Sequence, residues 1–405
     1  MKLSSIIINA ASGFLTLLTL LLTFSLTYAQ DWYSPGWPHR KTISIDYTQV
    51  VDDLTHFPVL VDFTDADLQS KAQPDGDDIL FTSDDGISKL NHEIEYFDSS
   101  SGHLITWVNV PSLSSSQNTT IEMYYGNVGA SNQENPPGVW DINYTAVHHF
   151  SEMSGEYLDS TSYGNHGSTV AVTRRTAAGR IGFAPEFDGV DNYVEVPHHT
   201  SLDFSGSAIT IEVWINTNDA AKGQSVISKN LGSGTGTGWN TEVGFQAHEI
   251  SFQSGEGSSN YLHTGTSQLQ DSNWIHGVFI YPGSGTGTIY VNGVAQATTG
   301  AMASWTPQST FLRIGMANPS TDRYPFDGKL DEVRLSNIAR STAWIETSYN
   351  NMNEPSLFSA RGPEETTGAP VIFSPNPVHE AGAVLISLEE LHFELSDLQG
   401  DAIDY

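Results

Sequence analysis

The sequence predicts an all-β protein built from tandem antiparallel β-sandwiches, with one short C-terminal helix near residues 341–350. From residue 31 to about residue 127, short alternating runs such as KTISIDY, FPVLVDF and LITWVNV are separated by turns rich in Asp, Ser and Gly. From about residue 140 to residue 358, runs such as AITIEVWINT continue the same two-residue period. The chain has no cysteine, so packed cores or bound metal must stabilise these sandwiches.

The first 29 residues have the pattern of a secretory signal peptide. Lys2 precedes an apolar run from Ile6 to Leu26, and small residues lead to Ala29. We predict cleavage after Ala29 and a secreted or cell-surface protein. An uncleaved N-terminal anchor is the alternative, because the run is long enough to span a bilayer. No other stretch of the sequence has the length and hydrophobicity of a membrane span.

The charge balance excludes one class of partner. The 405 residues contain 47 Asp and Glu but only 16 Lys and Arg, for a formal net charge of −31. Proteins that bind nucleic acid need clustered cations to neutralise the phosphates. We therefore predict no nucleic-acid partner.

Several elements of the second unit are specified by local patterns. In AITIEVWINT the alternating Ile and Val residues at 209, 211, 213 and 215 share one face, whereas WIHGVFIY has large apolar residues on both faces, as in a covered central strand. Asn292 and Gly293 lie between two alternating runs and predict a tight hairpin. Ser341 is a predicted helix N-cap, followed by a buried stripe of Trp344, Ile345 and Tyr349.

Breaks in composition predict the domain boundaries. Pro136–Gly138 separates a first sandwich, 31–135, from a second, 140–360. Residues 361–370 have the composition of a linker. A third set of strands, 371–405, stops at Tyr405 in mid-pattern, so we expect a truncated domain of a longer protein.

Motifs spread over the second unit resemble one domain family. From residue 148 to 358 they include HHFSE, LDSTSYGNHG, FDGVDNYVEVPHHTSLDF, ITIEVWI, NWIHGVFIY, GTIYVNGV and FDGKLDEVRLSNIARS. In this order they resemble the laminin-G-like, concanavalin A-type jellyroll domain of secreted microbial proteins. Residues 37–127, with WPHRKTISID, DGDDILFTSDDG and MYYGN, resemble the β-rich domain of unassigned function that often precedes such jellyrolls in surface proteins. SDLQGDAIDY near the end resembles the first half of an immunoglobulin-like repeat.

Two similar stretches, FDGVDNYVEV at 187–196 and FDGKLDEVRL at 326–335, predict strands of the same sandwich. The resemblance implies a structural calcium ion held by the DSTSYGNHG loop and the aspartate of a DEV strand, here Asp159, Asn165 and Asp331, with Asp188 as a fourth candidate. Tyr163 departs from the small residue usual in that loop. Asp331 shares strand parity with core residues, so its carboxylate needs either a cation or backbone amides. For Asp188 the alternative is an ordinary Asp-Gly turn.

Catalytic residues are not predicted. Glycoside hydrolysis needs two carboxyl groups about 5 to 10 Å apart across a cleft. Glu93 and Glu95 lie two apart on one strand, but we interpret them as a solvated strand face, and Glu212 as an equivalent polar position. No hydrolase or metalloprotease motif is present in the sequence. The histidine pairs at 148–149 and 198–199 are interpreted as structural residues rather than ligands of a transition metal.

Exposed aromatic residues are the expected platforms for a carbohydrate ligand. Trp239 follows a Gly-rich run, GSGTGTG, and Tyr261, Trp305 and Tyr324 fall in predicted loops. The alternative is that these rings close the ends of the sandwich.

The sequence thus predicts a non-catalytic recognition or adhesion protein that binds a carbohydrate or a surface glycoprotein through a calcium-stabilised domain. Two alternatives are open. One is a structural stalk that spaces another module of a larger protein, and the other is a glycosidase or its accessory module.

Overall fold

Alternating apolar residues form strands over most of the chain. The computed structural model describes residues 32–170, 173–204, 207–230, 238–245, 248–254, 261–265, 268–300, 302, 305–317 and 324–367, together with the strand backbones 371–376 and 392–396. The predicted signal peptide and most of the predicted immunoglobulin-like segment lie outside these residues. No described helix is long and apolar enough to cross a membrane.

The first part of the chain forms seven strands. They are β1 (His39–Ile45), β2 (Leu54–Thr64), β3 (Leu80–Ser83), β4 (Lys89–Leu90), β5 (His92–Asp98), β6 (His103–Leu113) and β7 (Thr119–Tyr125). Two short helices accompany them, α1 (Ala66–Lys71) and α2 (Pro136–Val139).

Sixteen strands form the second part of the described chain. They are β8 (Tyr144–His148), β9 (Ser168–Val170), β10 (Thr173–Ala178), β11 (Phe183–Asp188), β12 (Tyr193–Val196), β13 (Ala208–Thr217), β14 (Gln224–Asn230), β15 (Gly238–Val243), β16 (Ile250–Ser254), β17 (Tyr261–Thr264), β18 (Ile275–Pro282), β19 (Thr288–Val291), β20 (Val294–Ala295), β21 (Thr298–Gly300), β22 (Leu312–Ile314) and β23 (Asp327–Ser336). Then come α3 (Thr342–Asn353), α4 (Pro355–Phe358), β24 (Ser359–Thr366), β25 (Val371–Asn376) and β26 (His392–Ser396).

These strands form two sandwiches. In the first, a five-stranded sheet with the order β24-β1-β7-β3-β4 accompanies a three-stranded sheet with the order β2-β6-β5. In the second, the inner sheet has the order β10-β11-β23-β13-β18-β19-β20, with β8 also paired to β23. The outer sheet has the order β21-β17-β16-β15-β14-β22-β12-β9. The all-β prediction is therefore confirmed. The last two strands pair with each other in a separate sheet.

The inner sheet is covered on both faces, as the pattern of its central strands predicts. On β18, Val278 and Ile280 belong to the core shared with the first sandwich, whereas Phe279 and Tyr281 belong to the core between the inner and outer sheets. On β13 the four alternating Ile and Val residues all enter the second core. The opposite face of β13 directs Trp214 into the first core, so the two sandwiches share buried apolar surface.

The two FDG stretches are neighbours in the inner sheet. Strands β11 and β23 pair antiparallel, with Asp188 opposite Asp327 and Phe187 opposite Gly328. Gly328 has φ 138°, and a Cβ there would lie 2.1 Å from the carbonyl oxygen of Asn216. Glycine is required at this position because any side chain would collide with the neighbouring backbone. This pairing confirms that both stretches are strands of one sandwich.

A β-bulge in β23 changes the face on which Asp331 lies. Arg334 is opposite Glu212 and Asp331 is opposite Trp214, so two residues of β23, including Glu332, face one residue of β13. Glu332 has φ 51°, which is unusual for a residue other than glycine. Directly opposed residues point to the same face of a sheet. Asp331 is therefore buried on the face toward the first sandwich, and the expectation that it shares the face of the core residues on β23 is wrong.

The predicted hairpin and helix are confirmed. Asn292 and Gly293 both have positive φ, and Val291 pairs with Val294 across them. Helix α3 runs from Thr342 to Asn353, and the Ser341 hydroxyl accepts a hydrogen bond from the Trp344 amide at 3.2 Å. The helix ends three residues later than predicted because it continues to the residues before Pro355.

The predicted linker is wrong in its first half. Strand β24 pairs antiparallel with β1 over His39 to Ile45 and so completes a sheet of the first sandwich. The second sandwich is thus inserted between β7 and β24 of the first. The polar composition of β24 reflects its position at the edge of a sheet, where side chains remain exposed.

Candidate functional site

The outer sheet carries two rows of polar side chains on the face away from the core. Its alternate residues, such as Val194, Ile314, Phe252 and Leu262, enter the second core. The residues between them point to the opposite face, where each is paired with a residue of the neighbouring strand, and these pairs form two rows across the sheet. The first row is Glu195, Arg313, Ser228, Asn240, Gln253 and Tyr261, and the second is Ser225, Glu242, Ser251, His263 and Thr299. We call these two rows the polar face.

The polar face holds hydrogen-bonding capacity that the described residues do not use. Glu242 and Ser251 are directly opposed, and both are buried. The Glu242 Oε1 atom accepts a hydrogen bond from the Asn240 side chain at 2.6 Å. Its Oε2 atom and the Ser251 hydroxyl have no hydrogen-bond partner among the described residues. Buried polar atoms are rarely left unpaired, so a ligand or water is expected to satisfy these two.

Burial also controls the charge of this face. It raises the pKa of Glu242 to about 8, and the nearby Glu249 adds to the increase. Glu242 is therefore protonated at neutral pH and can donate a hydrogen bond as well as accept one. A neutral carboxyl group beside a serine hydroxyl suits a ligand rich in hydroxyl groups.

Two of the predicted aromatic residues border the polar face. Tyr261 ends the first row, is partly exposed, and stacks on His263 with 5.2 Å between the ring centroids. Tyr324 is 37% exposed, and its carbonyl accepts a hydrogen bond from the Ser225 amide at 2.8 Å. Burial raises the pKa of Tyr261, with further contributions from Glu242 and Tyr324.

The other two predicted aromatic residues are not exposed. Trp239 lies in β15 rather than in a loop, and its ring stacks on Phe252 at 6.2 Å in the second core. Trp305 is buried against Phe252 and Tyr281. Their expected exposure is wrong, since both rings fill the sandwich core as the alternative proposed. Residues 231–237, which hold most of the Gly-rich run, lie outside the described residues.

The residues assigned to calcium do not converge on one site. Both oxygens of Asp159 accept hydrogen bonds: Oδ1 from the amides of Val147 and Thr161, and Oδ2 from the Thr161 hydroxyl and the Asn165 amide, all at 2.8 to 2.9 Å. The Asn165 side chain donates to the carbonyl of Thr145 at 2.7 Å. This loop is therefore organised by its own hydrogen bonds around Asp159.

Asp331 is satisfied elsewhere. Its carboxylate accepts from the amides of Arg180 and Ile181 at 2.7 and 3.0 Å, and from the amide of Glu332 at 2.9 Å. Among the described residues, no hydrogen bond or ion pair joins Asp331 to Asp159. These contacts match the predicted alternative, in which backbone amides hold the carboxylate.

Asp188 has the contacts of a turn. Its Oδ1 atom accepts from the amides of Val190, Asp191 and Asn192 at 2.9 to 3.4 Å. It is opposite Asp327, four residues before Asp331 along β23, which separates it from Asp331 by about 13 Å along the strand. The four predicted residues therefore do not fit a single calcium ion, and calcium stays a prediction without an identified ligand set.

A second polar group lies between the two sandwiches, and we call it the interdomain cluster. Its members are Glu93 and Glu95 of β5, His149 after β8, and Glu332 and Arg334 of β23. The His149 Nδ1 atom lies 2.7 Å from Glu332 Oε1 and 3.6 Å from Glu95 Oε2, and Nε2 lies 3.5 Å from Glu93 Oε2. The Arg334 Nη2 atom lies 2.6 Å from Glu332 Oε2. Glu93 and Glu95 are therefore partners in a buried cluster, and their assignment to a solvated face is wrong.

Aromatic residues enclose this cluster. Trp107 Nε1 donates to Glu95 Oε2, and Trp140 Nε1 donates to Glu93 Oε2, both at 3.0 Å. The His149 ring stacks on Trp107 with 5.7 Å between the centroids. The indole rings thus exclude solvent while their N–H groups satisfy the carboxylates.

The cluster is electrically balanced at neutral pH. Burial opposes the charge of Glu93 and Glu332, but His149 lowers the pKa of both, together with Ser160 and Trp140 at Glu93 and with Arg334 at Glu332. Burial likewise disfavours charged His149, but Glu332 and Glu93 raise its pKa well above the usual value. Burial, reinforced by Glu332, raises the pKa of Glu95 to about 8. Two carboxylates therefore face His149 and Arg334 as cations, while Glu95 is protonated.

Sequence reasoning missed this cluster because its members come from three distant segments. The HEIEYFD run has strand periodicity, and nothing within it shows that a second sandwich covers it. The predicted structural roles fit His148, which stacks on Phe150 at 5.8 Å, and His199, which caps the turn Thr200–Leu202. His149 differs from the predicted structural histidine because it is charged, and it pairs with Glu332, which lies in the bulge of β23.

Comparisons with known families match two parts of the chain. Residues 188–346 match the family described as the concanavalin A-like lectin/glucanases superfamily, and residues 75–166 match a domain of unknown function, DUF2341. The predicted order of a β-rich domain of unassigned function followed by a concanavalin A-like domain is thereby confirmed. A search of curated proteins found no match.

Solved structures resemble about half of the chain. The receptor-binding domain of botulinum neurotoxin D has 10% identity and a TM-score of 0.40, covering 51% of this chain and 52% of that one. Domain 4 of AbnA, a GH43 extracellular arabinanase from Geobacillus stearothermophilus solved with arabinotriose, has 19% identity and a TM-score of 0.39, covering 51% and 98%. The binding domain of Paraclostridial Mosquitocidal Protein 1 has 14% identity and a TM-score of 0.41, covering 51% and 52%. The chain spans about half the length of the toxin domains.

Proposed function

We propose that this chain, whose second sandwich is a concanavalin A-like domain, is a non-catalytic recognition protein that binds carbohydrate at the polar face of its outer sheet. The observation that carries the proposal is a pair of buried groups, Glu242 Oε2 and the Ser251 hydroxyl, which are opposed in the middle of that face and have no hydrogen-bond partner in the part of the chain that the structure describes. The family match, which includes lectins, supports the same ligand class.

The chemistry of a sugar fits the residues around this pair. Sugar hydroxyls both donate and accept hydrogen bonds, as do a protonated carboxyl group and a serine hydroxyl. Sugar rings also present an apolar C–H face, for which Tyr261 and Tyr324 supply partly exposed aromatic rings at the border. Binding to such a face needs no metal.

An extracellular location belongs to the same proposal. The N-terminal signal pattern supports secretion or attachment at the cell surface, where carbohydrate ligands are abundant. An acidic chain without cysteine is compatible with that location.

One observation favours the alternative of glycoside hydrolysis. Glu242 is protonated at neutral pH, and Glu249 lies near enough to raise its pKa further. A protonated carboxyl group beside a second one is the arrangement that a glycosidase requires. Loss of substrate, rather than binding alone, distinguishes this alternative.

The test is a glycan panel probed with the full chain, with each bound glycan then incubated and analysed for cleavage. We expect reversible binding to a subset of glycans without hydrolysis, and we expect Tyr261→Ala to weaken it about tenfold or more, the loss of roughly 1.4 kcal/mol typical of a buried aromatic contact. Tyr47→Ala is the matched control, because Tyr47 is 40% exposed on the first sandwich. Binding to no glycan would favour a structural stalk, and cleavage that Glu242→Gln abolishes would favour a glycosidase.

A further inference from the structure

We propose that Glu95, His149 and Glu332 form a binding site for one divalent transition metal ion of the zinc class between the two sandwiches. One potential ligand atom from each of the three residues lies within 4.8 Å of the other two. Two ligands of one zinc ion, each about 2.1 Å from it, lie no more than about 4.2 Å apart, so the three side chains would close by up to about 0.6 Å around the ion. This site is separate from the polar face and does not depend on the proposed carbohydrate function.

An unpaired atom gives a second, independent indication of a missing ligand. Glu95 Oε1 is buried and has no hydrogen-bond partner among the described residues, and the Glu95 side chain is 0% exposed. A carboxyl oxygen that is buried and unpaired is unfavourable in an apolar interior. A cation bound there would satisfy this oxygen and would take the place of the protons that Glu95 and His149 hold without it.

The surrounding residues donate hydrogen bonds to one oxygen of each carboxylate, and for Glu95 that same Oε2 atom also lies 3.6 Å from His149 Nδ1. Trp107 donates to Oε2 of Glu95, and Arg334 donates to Oε2 of Glu332. Glu332 Oε1 faces His149, and Glu95 Oε1 is unpaired. Outer partners of this kind orient the ligands of metal sites and contribute to their affinity.

The backbone also favours this arrangement. Glu332 occupies the bulge of β23 with φ 51°, a conformation that a residue other than glycine adopts only when its surroundings enforce it. The bulge brings the Glu332 carboxylate to His149, although the two residues lie 183 positions apart in the sequence.

The types of ligand select the ion. One imidazole nitrogen with two carboxylate oxygens suits zinc, cobalt or manganese. Calcium takes oxygen ligands and is not expected here. Trp140, whose Nε1 atom donates a hydrogen bond to Glu93 of the cluster, also lines a cleft of about 430 Å³ together with Asn109 and Asp141.

The test uses the full chain and the metal ions alone. The purified protein is dialysed against Zn²⁺, Co²⁺ or Ca²⁺, and a second sample is unfolded with chelator and refolded with each ion. Metal content is measured after gel filtration, and Co²⁺ is followed by its visible absorption. We expect one Zn²⁺ or Co²⁺ per chain, no retained Ca²⁺, and a visible Co²⁺ band.

Two conservative variants identify the ligands. Glu95→Gln keeps an oxygen that can accept the hydrogen bond from Trp107, so this variant should fold. Glu95→Gln and His149→Gln should each weaken Co²⁺ binding by more than about a hundredfold, which is more than the loss of a residue that only orients a ligand would cause. Glu122→Gln, a buried glutamate of β7 in the first sandwich, is the matched control and should retain the ion. Retention of neither Zn²⁺ nor Co²⁺ by either sample would overturn the site, as would binding that Glu95→Gln leaves unchanged. If His149→Gln fails to fold, Glu95→Gln alone decides.

Discussion

The guanidinium of Arg334 lies over the ring of Trp107, with 4.3 Å between Cζ and the ring centroid. Arg334 belongs to β23 of the second sandwich, and Trp107 belongs to β6 of the first. The same guanidinium lies 4.9 Å from the ring of Trp140 and holds Glu332 by hydrogen bonds. Because all of these groups are buried, the two sandwiches cannot separate without exposing a cation and an aromatic surface to solvent.

Replacing Arg334 should destabilise the protein strongly. Arg334→Met retains apolar volume but leaves Glu332 and Glu212 with one cation fewer in a buried setting. Removal of one partner of a buried ion pair costs about 3 to 5 kcal/mol. Urea denaturation measures the free energy of unfolding. Arg313→Met is the control, because its partner Glu195 is 24% exposed and the pair should contribute about 1 kcal/mol or less. Equal effects of the two variants would contradict the account.

Removal of β24 should destabilise the first sandwich, although the segment follows the second sandwich in the chain. A chain that ends at residue 358 lacks β24 and therefore loses the backbone hydrogen bonds between β24 and β1. It also loses the ion pairs of Glu364 with Lys71 and of Glu365 with Arg40. We expect a loss of about 2 to 4 kcal/mol, from several hydrogen bonds at roughly 0.5 to 1.5 each. A chain that ends at residue 367 is the control. Hydrogen exchange should show faster exchange at β1 only in the shorter chain; unchanged protection would show that β24 is dispensable.

The stability of the protein should depend on pH through Glu242. Its pKa is about 8 in the folded protein against an ordinary value of 4.5, so between these values the folded state holds a proton that the unfolded state has lost. The contribution of Glu242 is therefore largest below about pH 4.5 and falls as the pH rises to about 8, by up to about 1.4 kcal/mol per pH unit. Glu242→Gln should make this slope shallower and leave the part that Glu95 contributes, because the pKa of Glu95 is also raised to about 8. Ser228→Ala, which changes no titratable group, should retain it, and parallel curves for wild type and Glu242→Gln would refute the prediction.

Calcium remains a prediction that a thermal melt can test. Binding to the folded state would stabilise it by about 2.7 kcal/mol at a hundredfold excess over the dissociation constant. Because Asp331 is held by three backbone amides and has no contact with Asp159, we expect Asp331→Asn to leave any calcium-dependent shift in place. Asp159→Asn should remove it if the loop is the site. If only Asp331→Asn lost the calcium-dependent shift in melting temperature, the predicted ligand set would be restored. If calcium did not shift the melting temperature of the wild type, calcium binding would be excluded.

Local patterns predict the strands and the helix well because their signals lie within a few residues. The alternation of β13, the Asn292–Gly293 turn and the Ser341 cap each specify one element. The bulge at Glu332 is different, since it depends on pairing between β23 and β13, and it places Asp331 on the face opposite to that predicted.

The sites were less predictable because they depend on contacts between distant segments. Trp239 follows a Gly-rich run that suggests an exposed loop, yet the strand begins at Gly238 and its Trp neighbour packs in the core. The opposed pair of Glu242 and Ser251 exists only through the register of β15 and β16. Tyr261 and Tyr324 were predicted to lie exposed in loops; both are partly exposed, but Tyr261 begins strand β17, and their role in binding stays a prediction.

Carbohydrate binding at the polar face is tested most directly by Ser251→Ala, which removes a buried hydroxyl that no described residue satisfies. The free energy of unfolding and the affinity for a glycan identified on the panel are measured for this variant, the wild type and Ser228→Ala, whose hydroxyl donates to the Met316 carbonyl at 2.9 Å. We expect Ser251→Ala to be as stable as the wild type or more so, because no internal hydrogen bond is lost, and to bind the glycan about tenfold more weakly. Unchanged affinity in Ser251→Ala, with its stability intact, would contradict binding at this face.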